Sequence, residues 1–140
     1  MDAAIQRAYE EIHAFFSKPD AVLGRDYEAE RCIYSSLDGD VRCAVGCRLP
    51  LEWIERHGIN AVNVAGGLLA LANTFPSVEK FVGDTYSDLF YFHLQAQTIH
   101  DVSENVESFL CTLTEMATRV FGCVAVGENV VIAEREAVTV

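Results

Sequence analysis

Residues 32–50, CIYSSLDGDVRCAVGCRLP, constrain the fold more than any other stretch of the chain. Two short strand-like runs, 32–34 and 41–45, bracket Ser35, Ser36 and the turn residues Asp38, Gly39 and Asp40. Asp-Gly favours positive φ, so the natural solution is a β-hairpin over about 32–45. Gly46 then stands where the backbone must turn closely, and Pro50 is placed to open a helix through Leu51, Trp53 and Ile54.

Around this segment the apolar period is helical. Ile5, Ala8, Tyr9, Ile12, Phe15 and Phe16 recur at helix spacing before Pro19. Residues 61–73 read as a second apolar helix with Gly66 and Gly67 as a weak point, and 77–81 as one helical turn. A helix from about 86 to 99, opened by Asp84 or Thr85, is apolar over a wide arc and is expected to be central. Ser103 or Glu104 opens the next, whose stripe of Val106, Phe109, Leu110, Leu113, Met116, Ala117 and Val120 runs up to Gly122. Beyond it, Val124, Val126, Val130, Val131 and Ile132 flank Gly127, Glu128 and Asn129, the pattern of a second hairpin in a β-rich extension over 123–140. The predicted fold class is therefore α+β. One helix-dominated domain spans 1–140, with a short hairpin near 32–45 and another at the C-terminus, whose strands would cover the core or form a homodimer edge.

Charge and cysteine usage narrow the function classes. With 21 acidic against 10 basic residues the net charge is −11, which repels phosphate backbones, so no nucleic-acid partner is expected. The same acidity makes DNA mimicry conceivable, but the acids are spread through amphipathic helices and read more simply as a solvated surface. Five cysteines, an odd number, follow an acidic helical N-terminus without a leader pattern, so a reducing, cytoplasmic setting is expected. Polar interruptions at Asn63, Gly66, Gly67 and Asn73 argue against a bilayer span, and no membrane partner is expected.

Two islands resemble a family of small uncharacterised proteins of tailed bacteriophages and prophages. In that family a Cys-x-Tyr strand, an Asp-Gly turn and a Cys-Ala-(Val/Ile)-Gly-(Cys/Ala)-x-(Ile/Leu)-Pro segment precede Leu-Gln-x-x-His-Asp and a terminal amphipathic helix. Here the first island is Cys32-Ile33-Tyr34, Asp38-Gly39 and 43–50; the second is Leu94-Gln95 with Ile99-His100-Asp101. Two additional residues, Ala96 and Gln97, lengthen the second island, and Leu51-Glu52 replaces the acidic pair that usually follows the proline. The resemblance covers about half the chain and implies a phage or prophage origin, with no particular reaction.

Chemistry, if present, would centre on thiols and imidazoles. Cys32, Cys43, Cys47 and His100 formally complete a tetrahedral zinc set, but only Cys43 and Cys47 have knuckle spacing, and thiols facing the core are the simpler reading. A hydrolase would use Cys43 or Cys47 as nucleophile, His100 as base and Asp101 to orient it. Adjacent His100 and Asp101 are not expected to pair in that manner; capping roles at helix ends explain them more simply, with Asp101 capping the following helix. His93 and Trp53 read as core residues. The function expected is a phage accessory protein, more plausibly not an enzyme and without a cofactor, acting in the host cytoplasm on a host or phage protein. The alternative is a small metal- or ligand-binding protein or a Cys/His hydrolase centred on 43–47 and His100.

Overall fold

The structure, a computed structural model, describes residues 2–26, 31–32, 35, 40–57 and 67–126, with the side chains of 25, 26, 31 and 32 excepted. In chain order these form α1 (Ala3–Phe16), a two-residue antiparallel ladder of β1 (Arg25–Asp26) and β2 (Arg31–Cys32), and a 3-10 turn at Gly46–Arg48. There follow α2 (Leu51–His57), α3 (Gly67–Thr74), a 3-10 turn at Pro76–Val78 running into α4 (Glu79–Val82), then α5 (Asp88–Val102) and α6 (Val106–Phe121).

The long helices begin and end for local reasons. Asp2 caps α1, its Oδ1 accepting the Ala4 N–H at 2.8 Å and the Ile5 N–H at 3.3 Å. Ser87 caps α5 through the Phe90 N–H, and Asn105 caps α6 through the Ser108 N–H. These are the hydroxyl and amide that precede each helix, in place of the expected Asp84 or Thr85 and of Ser103 or Glu104. Asp101, expected to cap α6, lies inside α5. Gly122 closes α6 with φ +70°, a left-handed cap at which the Cys123 N–H donates to the Ala117 carbonyl.

Packing divides into two apolar clusters that share α5. Ile5, Ala8, Tyr9, Ile12 and Phe16 of α1 meet Phe109, Leu113 and Ala117 of α6, with Phe92 and Ala96 of α5 between them. On the other side Phe90 joins Trp53, Ile54, Leu68, Leu71, Val78 and Val82. Both sides of α5 are thus covered, which is why its apolar arc is wide rather than a clean stripe. Residues 43–45 lie on the seam: Ala44 enters the first cluster while Cys43 and Val45 enter the second.

The α+β expectation is overturned, because the protein is dominated by helices and holds neither expected hairpin among the described residues. The short ladder pairs 25–26 with 31–32, so β2 takes an earlier partner than 41–45. Residues 43–49 coil instead. The Cys47 N–H donates to the Cys43 carbonyl, Arg48 to Val45 and Leu49 to Gly46, at 2.9–3.1 Å. A fully buried Cys43-Ala44-Val45-Gly46 run must satisfy its backbone polar groups, and a helical turn does so locally where an isolated two-stranded hairpin would leave one edge unpaired. The turn residues 36–39, with Ile33 and Tyr34, lie outside the described residues, as do 61–66 of the second predicted helix. The expected C-terminal hairpin falls mostly on 127–140, also outside them; Cys123, Val124 and Ala125 join no ladder.

Candidate functional site

One face of α5 carries three buried polar side chains, His93, Gln97 and His100, spaced four and three residues apart and therefore stacked along the helix. Gln97 and His93 contact the 43–48 turn itself, at Val45 and Arg48, and His100 reaches the loop at Gly24. Together they form two polar nodes about the turn.

The first node joins His100 to two loops. The Gly24 N–H donates to His100 Nε2 at 3.0 Å. A backbone N–H can only donate, so Nε2 holds a lone pair and the ring proton sits on Nδ1, 3.0 Å from Asp101 Oδ1. Gln97 donates from Nε2 to the same carboxylate oxygen at 2.8 Å, while its Oε1 accepts the Val45 N–H at 3.0 Å. The result is a continuous relay from Gly24 through His100, Asp101 and Gln97 to Val45. Phe16 and Phe109 wall the imidazole at centroid distances of 5.8 and 5.7 Å. Gly24 is required for this approach: a Cβ there would meet the Arg42 carbonyl carbon at 2.3 Å.

The second node is built on Arg48. Its guanidinium pairs with Glu11 of α1, donates to the Phe81 carbonyl at 3.3 Å and reaches His93 Nε2 from Nε at 3.4 Å. His93 in turn lies 2.8 Å, through Nδ1, from the Leu89 carbonyl. Burial disfavours a charged His93, and Arg48 adds to the effect against the opposing Leu89 bond, so its pKa falls to about 4. Burial lowers the Arg48 pKa as well, with Arg7 contributing in the same direction.

The two cysteines of the turn point inward. Cys43 is fully buried and its Sγ accepts the Gly46 N–H at 3.3 Å. Cys47 donates its thiol to the Ala44 carbonyl at 3.1 Å. Desolvation raises the Cys47 pKa to about 12 despite the opposing fields of Arg42 and Lys18, the reverse of what a nucleophilic thiol needs. The side chain of Cys32 lies outside the described residues. Among the described residues no three His, Cys, Asp or Glu side chains converge as a metal would require.

The adjacent His100 and Asp101, not expected to pair, do pair. Asp101 is half-exposed and reaches back over the helix end. The orientation is that of a histidine–carboxylate dyad, but the nitrogen that would serve as base is taken by Gly24. Gln95, matched to the family motif from the sequence, is not the residue that bonds the turn; Gln97 is. The signal was present in the sequence, since Gln97 shares a helix face with both His93 and His100 whereas Gln95 does not. Gly24 and Arg48 carried no comparable signal. No protein-family model, curated protein or solved structure matches the chain.

Proposed function

We propose that the protein is a phage-encoded accessory protein that works by binding a host or phage protein in the host cytoplasm, and that the 43–48 turn with α5 is a folding node rather than a reaction centre. The observation that carries this reading is the commitment of His100 Nε2 and Gln97 Oε1 to the buried backbone donors of Gly24 and Val45. Groups consumed in this way are not available to a substrate without first uncovering those donors. The Cys47 thiol, held at about 12, points the same way. Among the described residues no helix is long and apolar enough to cross a membrane, and the acidic chain suits a partner with a basic surface.

The two islands on which the resemblance rests lie in contact through the Val45–Gln97 bond.

The test is affinity capture from bacterial lysate with wild type and Cys47→Ser. A stoichiometric protein partner, retained equally by both, is the expected result. Thiol-dependent ester hydrolysis that disappears in Cys47→Ser, or stoichiometric zinc by elemental analysis, would replace this reading with the Cys/His alternative.

A further inference from the structure

The entry to α5 is fixed in its backbone, yet its tyrosine is uncovered. Asp84 Oδ1 accepts the Tyr86 N–H at 2.8 Å, and the Asp84 carbonyl accepts both the Ser87 N–H at 2.8 Å and the Ser87 hydroxyl at 2.7 Å. Ser87 Oγ in turn caps the helix, so the chain is held on both sides of Tyr86. Tyr86 is nonetheless 97% exposed, more than any other large hydrophobic residue among those described. With Ser87 as the cap, Tyr86 lies one position before it and Tyr91 four after it, the two places from which an apolar pair commonly closes over a helix start. Here the pair stands open. Tyr91 leans on Phe121 of α6 at a centroid distance of 5.9 Å and stays half-exposed, while almost nothing covers Tyr86. Asp84 and Asp88, both exposed, flank Tyr86 in the chain, and neither has an ion pair among the described residues. Glu79 and Lys80 just upstream cancel in charge, so this end of α5 is negative.

We propose that the open Tyr86–Tyr91 pair is the docking point for the protein partner, whose segment completes it with an apolar side chain flanked by arginine or lysine. Tyrosine is among the residues that carry most of the binding energy at interfaces, and an exposed ring on a fixed backbone loses little further freedom when it is covered. The rings supply the apolar contact. Asp84 and Asp88 set the charge of what approaches, favouring basic flanks and repelling acidic ones. This inference rests on the protein-binding function proposed above and gives that partner a chemistry.

The test titrates the full-length protein against labelled synthetic peptides that carry leucine, phenylalanine or tryptophan between arginines, with alanine-centred and glutamate-flanked peptides as controls, and reads fluorescence anisotropy. The arginine-flanked apolar peptides should bind best, and Tyr86→Ala should weaken them by at least about tenfold while Tyr86→Phe retains them. Asp88→Asn should weaken the same peptides and flatten their salt dependence. The urea midpoint of Tyr86→Ala should equal that of wild type, because the ring holds nothing in the folded protein. Three results would overturn the proposal: no binding of any arginine-flanked apolar peptide up to about millimolar concentration, binding that Tyr86→Ala leaves unchanged, or a lowered urea midpoint in Tyr86→Ala, the mark of a closed pair. Capture from lysate separates this surface from the function it rests on. A partner retained equally by wild type and Tyr86→Ala would sink the surface and leave the function standing, whereas Tyr86-dependent peptide binding without any captured partner would uphold the surface and count against the function.

Discussion

Acid should loosen this fold through His93. The side chain is fully buried, and its pKa falls from the ordinary 6.5 to about 4 in the folded protein. A lowered folded pKa means that the unfolded chain binds the proton more readily across the window between those values. Stability from keeping His93 neutral is therefore complete above about pH 6.5 and is lost as pH falls through about 4. A difference of two to three units corresponds to about 3 kcal/mol, a large share of the stability of a domain this size. The assay is urea unfolding at a series of pH values for wild type and His93→Leu, which keeps the bulk and removes the titration. The other histidines are common to both proteins, so the difference isolates His93. At pH 7 the variant should be less stable by about 1–3 kcal/mol, because Arg48 Nε loses its acceptor. As pH falls towards 4 that deficit should shrink and then reverse. Parallel stability curves for the two proteins would refute the reasoning.

Other perturbations address the remaining contacts. Gln97→Ala strands the buried Val45 N–H and should cost about 1–3 kcal/mol in urea unfolding, whereas Gln95→Ala should cost well under 1 kcal/mol, as expected away from such a contact. Gly24→Ala drives a methyl into the Arg42–Cys43 backbone and should leave little folded protein by circular dichroism, while Gly67→Ala, with open space around its Cβ but a φ of +76°, should fold at a cost of about 1–2 kcal/mol. In the native state Cys47 should resist a thiol reagent at pH 8 on the timescale at which exposed Cys111 reacts, and should become reactive only in denaturant.

Legibility from sequence followed the range of the forces. The helices at either end of the fold declared themselves because periodicity is local: Ile5, Ala8, Tyr9, Ile12 and Phe16 of α1 and Phe109, Leu113, Met116 and Ala117 of α6 are buried as their spacing requires, whereas Val120, placed in the same stripe, is exposed. The 41–45 run misled for a tertiary reason. Val41 and Val45 favour a strand, yet the segment between them is clasped by Gln97 from more than fifty positions away, and a helical turn presents the Val45 N–H to it. His100 and Asp101 were recognised as chemically notable, but the partner that occupies Nε2 is the backbone of Gly24, which no spacing rule connects to them. The role of Arg48 was hidden similarly, because its contacts gather Glu11, Phe81 and His93 from three separate helices.

The central claim is that the imidazole of His100 is spent on the fold. Long-range proton–nitrogen correlation spectra of the histidine rings at neutral pH test it most directly. The account predicts His100 as the Nδ1–H tautomer, with Nε2 unprotonated and accepting from the Gly24 amide. A His100 ring protonated at Nε2, or exchanging freely with solvent, would contradict it and return this residue to the list of groups available for chemistry.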